Sequence, residues 1–205
     1  MAIVLTKPRV RFGGDMVRRD DGNGASVDIM VVPLGTVENE VAVKLAAALA
    51  EVFSCRVERG DRLTLPARAL NPARGQYLSS AVLAMLQQTK PGNVSLVLGV
   101  TDCDLYLPPL NFAFGEADHK GGVAVISVTR LREEFYGHPV NDELFRRRMI
   151  TEGVHEVGHA FGLDHCPDPG CVMHFSNTLS DTDRKGADFC SNCRKQLRHL
   201  ACFTS

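Results

Sequence analysis

No stretch of the 205-residue chain is apolar for long enough to cross a bilayer, which takes about 20 consecutive apolar residues in a helix. The opening residues, Met1-Ala-Ile-Val-Leu-Thr-Lys-Pro8, are too short in their apolar part for a secretory signal, so the expected compartment is the cytoplasm. An excess of charge of one sign is missing as well. The formal net charge is -1, which gives no reason to expect nucleic acid or an anionic membrane as partner. Internal repeats and low-complexity tracts are missing. So is an even cysteine complement, since seven occur: Cys55, Cys103, Cys166, Cys171, Cys190, Cys193 and Cys202. An odd count in a chain without an export signal argues against a disulfide framework. Cys166, Cys171, Cys190 and Cys193 fall in two close pairs, a spacing that suits metal binding.

What is present suffices for a real core, with 44% hydrophobic residues in a length that fits one domain of ordinary size. Residues 13–26 are rich in glycine and charge and read as a loop, so 1–26 is expected to be an N-terminal arm or loop. Strand-like runs follow at 27–33, 56–58, 94–100, 110–114 and 123–128, and helical spacing at 38–53 and 78–88. Alternation of this kind argues for an α/β sheet with mixed strand directions. A long helix is expected from an N-cap at Asn141, with Asp142 and Glu143 at its positive end. Ile150, Val154, Val157 and Phe161 would form its buried stripe, and Gly162 its stop. Beyond it the chain reads as loop until a short helix near 190–202.

That long helix carries His155-Glu156-Val157-Gly158-His159. Residues four apart share a helical face, so both imidazoles can reach one metal. Glu156 lies beside them, placed to act on a metal-bound water as general base. After Gly162, which can turn the chain sharply, His165 supplies a third ligand. Three protein ligands leave one position for water, the mark of a catalytic zinc. Zinc would lower the pKa of that water toward about 7. Glu156 would take its proton and pass it to the leaving amine of a peptide. Such an imidazole site also takes cobalt or nickel. The alternative is a helix bearing ordinary core or surface histidines.

The segment HEVGHAFGLDH, residues 155–165, resembles the metzincin signature HExxHxxGxxH. Met173 sits where metzincins place a methionine turn, its thioether under the histidines and not a ligand. His165 is followed by Cys166, then by Cys171, Met173 and the pair Cys190-Ser-Asn-Cys193. In this the sequence is similar to the archaemetzincin family, as it is at 99–106 (GVTDCDLY) and 110–117 (LNFAFGEA). The resemblance covers roughly residues 27–200, with its specificity concentrated in 155–193. It implies a metzincin-like α/β fold: a twisted mixed β-sheet, an active-site helix and a small zinc-bearing C-terminal lobe. The catalytic domain would span 27–205, divided into lobes of about 27–162 and 163–205. The segment 110–115 would be an edge strand to which a peptide adds by backbone hydrogen bonds; a plain buried strand is the competing reading.

Cys166, Cys171, Cys190 and Cys193 would close a structural Cys₄ zinc site, making two Zn²⁺ per chain, one catalytic and one structural. Disulfides, a redox CxxC and independent core thiols compete with that reading. Cys55, Cys103 and Cys202 read as core or surface thiols. One departure from the family pattern matters. Several metzincin families place a tyrosine after the methionine turn, and here the tyrosines are Tyr77, Tyr106 and Tyr136, all before Met173. Tyr136 is a candidate oxyanion donor. Arg146-Arg147-Arg148 and Lys185, Arg194, Lys195 and Arg198 read as solvated faces, against a nucleic-acid-binding zinc ribbon. His119, His138, His174 and His199 lack metal spacing, though His174, next to Met173, could support a ligand from behind. Glu152 could orient His155, but reads more simply as an exposed or loop-facing carboxylate. The sequence therefore points to a monomeric zinc metallopeptidase, in keeping with the family an aminopeptidase on short peptides. The alternative is a catalytically silent zinc-binding protein that recognises peptides.

Overall fold

The computed structural model describes residues 27–198; the expected arm over 1–26 and the chain beyond 198 lie outside the described residues. Strand β1 (Val27–Leu34) runs into helix α1 (Asn39–Phe53) and returns through β2 (Val57–Arg59). The short strands β3 (Leu70–Asn71) and β4 (Gln76–Leu78) precede α2 (Ser79–Thr89) and β5 (Val94–Thr101). Then come β6 (Leu105–Tyr106), β7 (Gly115–Asp118), β8 (Val123–Ser127) and the long α3 (Asp142–Ala160). Two short helices finish the described chain, α4 (Leu179–Lys185) and α5 (Ser191–Leu197).

The main sheet has the order β2-β1-β5-β8-β7. Its first four strands are parallel, and β7 is antiparallel to β8 at one edge, with Ala117 opposite Ala124. A second small sheet, β3-β4-β6, carries Tyr77 and Tyr106. The central strands read as nearly continuous β-branched runs because both their faces are covered. Ile29, Val31, Leu96, Leu98 and Ile126 face α1 and α3, whereas Val32, Leu34, Val97, Val123 and Val125 face Val82, Leu83 and Leu86 of α2. Residues after α3 add to the first core, with Val172, Met173, Phe189 and Leu197 buried on it.

Asn141 caps α3 as expected, its side chain accepting from Leu144 N. The buried surface of α3 is wider than the predicted stripe. Val154, Val157 and Phe161 are buried and Ile150 is half-buried, but Arg148, Glu152, His155 and Glu156 are buried too. The helix lies between the sheet and the C-terminal segment, so it meets protein on both sides.

The expected strand at 110–114 is not one. Leu110 N bonds to Leu107 O across a turn made by Pro108-Pro109, and Ala113 makes only an isolated bridge to Leu105. Arg74 and the Gln76 side chain both donate to the Asn111 carbonyl, holding the segment as a folded loop. Pairing with β8 begins where Ser127 N donates to Phe114 O, so the edge strand is Gly115–Asp118. The loop expected between α3 and the last helix also holds α4, started by a capping box in which Thr178 and Asp181 bond reciprocally.

Candidate active site and metal centres

The ligand nitrogens of His155, His159 and His165 all lie within 4.8 Å of one another. His155 Nδ1 is 2.7 Å from the Val172 carbonyl, and His159 Nδ1 is 2.7 Å from the Leu163 carbonyl. A carbonyl only accepts, so each Nδ1 carries the proton and each Nε2 keeps a free lone pair. Those two Nε2 atoms face each other at 3.1 Å. The His165 ring completes the cluster, edge-on to His159 at 85°. Gly162, at φ 100°, makes the left-handed turn that brings His165 back. The donor set and the outward backbone bonds together fit a divalent metal of the zinc type.

Burial is the main force on the protonation of these groups. It holds His155 well below the ordinary imidazole value and lowers the half-buried His159; His165 is exposed at the surface, yet partial desolvation of its ring, and then the neighbouring His159, take it to about 4. All three are therefore neutral near pH 7, the form that binds metal. Glu156, next to His155 in the helix, is also buried. Burial, then the Glu152 and Glu116 carboxylates, push its carboxyl well above the usual range, while the Lys185 ammonium pulls it down.

Met173 is fully buried against the helix that carries His155 and His159. Its Sδ packs so closely on Gly158 that a Cβ there would stand 2.5 Å away. The Met173 carbonyl accepts from Cys166 N at 2.9 Å, and His174 Nδ1 donates to the Cys166 carbonyl at 3.0 Å. The four thiols of Cys166, Cys171, Cys190 and Cys193 also lie within 4.8 Å of one another, all reduced, with Cys166 and Cys190 sulfurs 3.8 Å apart. The amide of Cys193 is the main cause that brings the Cys190 thiol down to about 7, and burial raises Cys193. Four converging thiols with no open side suit a structural metal.

Several sequence expectations change here. Glu152 is not an exposed carboxylate. It is 2% exposed, accepts from Thr182 Oγ1 at 2.9 Å and pairs with Lys185 Nζ at 3.2 Å. Lys185 is not on a solvated face either. Its side chain is fully buried, 3.2 Å from His155 Nδ1, and it donates to the His174 carbonyl. Arg148 is likewise buried, paired with Asp183 and Glu133; Arg146 and Arg147 are exposed. Sequence reasoning could have found α4 through the Thr178-x-x-Asp181 pattern, but nothing local marks its last residue as a neighbour of His155. The Tyr136 hydroxyl donates to the Arg130 carbonyl, and its charged neighbours are Arg130, Arg148, Asp104 and Glu133, none of them in the histidine cluster.

The sequence profile of peptidase family M54 matches residues 40–199. An archaemetzincin from Thermococcus kodakarensis is 43% identical over 179 residues, which is 84% of this chain and 96% of that protein. One from Methanocaldococcus jannaschii is 40% identical over 178 residues, 86% of this chain and 96% of that one. The fold is similar to the crystal structure of a zinc-dependent peptidase from Methanocorpusculum labreanum, with a TM-score of 0.76 at 35% identity, covering 82% of this chain and 99% of that one. It is also similar to an archaemetzincin from Archaeoglobus fulgidus complexed with malonate, with a TM-score of 0.72 at 36% identity, covering 83% and 99%.

Proposed function

Because the chain belongs to peptidase family M54, the archaemetzincins, and is a zinc metallopeptidase, we propose that it hydrolyses short peptides with His155, His159 and His165 as catalytic metal ligands and Glu156 as general base. The observation that carries this is the convergence of three neutral imidazoles, with the buried Glu156 carboxyl following the first of them on the same helix. Zinc held there supplies Lewis acidity for the peptide carbonyl and lowers the pKa of its water toward about 7. Glu156 accepts the proton of the attacking water and delivers it to the leaving amine. A carboxyl raised by burial suits a group that must both take and return a proton. Cys166, Cys171, Cys190 and Cys193 hold a second, structural zinc, so the chain carries two. The substrate backbone adds along the outer side of β7, the edge strand of the main sheet, at Gly115–Asp118. On this reading the catalytic domain divides into lobes of about 27–162 and 163–205. Aminopeptidase action, a monomeric state and a cytoplasmic location complete the proposal. Among the described residues no helix is long and apolar enough to cross a membrane.

A second reading, a zinc-binding protein that recognises peptides without turnover, is favoured by one observation. No tyrosine follows Met173, and Tyr136 is committed to Arg130. Zinc content and hydrolysis of a peptide library, measured for wild type and Glu156→Ala, separate the two. Two zincs per chain with activity lost in the variant supports the peptidase. Two zincs without turnover in the wild type supports the second reading. Zinc content that stays at two per chain in His155→Ala removes the histidine-ligand assignment.

A further inference from the structure

Gly115 opens β7 directly against the Glu156 side chain. A Cβ built on it would stand 2.5 Å from Glu156 Cγ, 2.7 Å from Oε1 and 2.8 Å from Cδ. Real Cβ atoms essentially never come within 3.0 Å of such neighbours, so something would have to move. The Glu156 side chain has little freedom to do so. It is 6% exposed, and the closest atom is its Cγ, not the end of a mobile chain. The strand is pinned as well. Phe114 O accepts from Ser127 N at 2.8 Å, Gly115 pairs with Ile126, and just past the strand His119 Nδ1 donates to the Ala160 carbonyl at 2.9 Å. Gly115 is not among the glycines with positive φ. What glycine supplies here is therefore space and not backbone freedom.

We propose that Gly115 is a positioning residue for the general base: its missing side chain leaves a notch in the edge strand that seats the Glu156 carboxyl beside the three imidazoles. The inference rests on Glu156 being that base. It adds that the base is set by direct contact with the strand along which the substrate is laid. Base and substrate backbone then share one reference, the first residue of β7, and a displacement of either is felt by the other. No other side chain fits, because even a methyl group overlaps the carboxyl.

The test uses the full zinc-loaded chain as wild type, Gly115→Ala, Glu156→Ala and the double variant. The probe is acetohydroxamic acid, which chelates a divalent metal through its two oxygens and releases its N–OH proton to a neighbouring carboxylate. Gly115→Ala is expected to weaken probe binding by about tenfold or more, while zinc affinity at the histidines stays within about threefold of wild type. Its thermal midpoint should fall by roughly 2–12 °C from overpacking. With Glu156 truncated the new methyl has room, so adding Gly115→Ala to Glu156→Ala should change neither quantity, and the double variant should melt above Gly115→Ala. Probe binding by Gly115→Ala equal to wild type overturns the proposal, as does an equal loss in the Glu156→Ala background. Should Gly115→Ala not fold, the double variant must fold; if it does not, the proposal fails. If Glu156→Ala leaves probe binding unchanged, the assignment of Glu156 as base fails instead, and the thermal cycle still reports on the seat.

Discussion

His155 and His159 each give the Nδ1 proton to a main-chain carbonyl, Val172 and Leu163, and this fixes which nitrogen faces the metal position. The spacing of the two histidines is visible in the sequence, but their carbonyl partners are not, because a carbonyl has no sequence identity. The same residues set a pH dependence. Desolvation depresses all three histidines below 6.5, and even the surface-exposed His165 to about 4. Between those values the unfolded chain binds protons that the folded chain, free of metal at the histidines, does not. Stability from this source is complete above about pH 6.5 and is lost as pH falls toward about 4. Glu156, raised by burial, acts in the opposite sense, one group against three. Protein stripped of the histidine-site metal is expected to show a urea midpoint that drops steadily across this window. A flat or rising profile would contradict the burial argument.

At the scale of elements, α3 and α4 are tied by charge. Lys185 ends α4 with its ammonium fully buried against Glu152 of α3, and the Arg148–Asp183 pair joins the same two helices. Removing one partner of a buried pair leaves the other charge without compensation. Glu152→Gln is expected to cost about 3–5 kcal/mol in urea denaturation. The neutral pair Glu152→Gln/Lys185→Met should recover much of that loss, and a double variant no more stable than the single one would show that the charges are not the cause. Helix α3 was legible because its cap, its periodicity and its glycine stop are local signals. Helix α4 was too short and too polar for periodicity to reveal, with only its capping box to mark it. The segment 110–114 alternates Asn111, Phe112, Ala113 and Phe114 as a strand would, yet Arg74 and Gln76 fold it by taking the Asn111 carbonyl. Alternation reports which faces differ and not whether a partner strand is there.

Across the whole molecule the histidine cluster and the thiol cluster share a stretch of backbone. Cys166 follows His165, its amide donates to Met173 O, and its carbonyl accepts from His174. Loss of the thiol cluster should therefore loosen the segment that presents His165 and the floor at Met173. Cys190→Ser is expected to weaken zinc binding at the histidines by about 10–100-fold, read by competition with a chromophoric chelator. Unchanged affinity there would show that the clusters are independent.

The sequence by itself determined the donor residues, the helix that carries two of them, the turn that returns the third, and the α/β class of the sheet. Each is written within a few neighbouring residues as spacing, periodicity or a glycine. Tertiary structure alone decided that Lys185 and Glu152 lie buried behind His155, that the edge strand starts at Gly115, and that Glu156 rests in the space where Gly115 has no side chain. These contacts join residues far apart in the chain, and their energies come from burial and close packing, which no local pattern records.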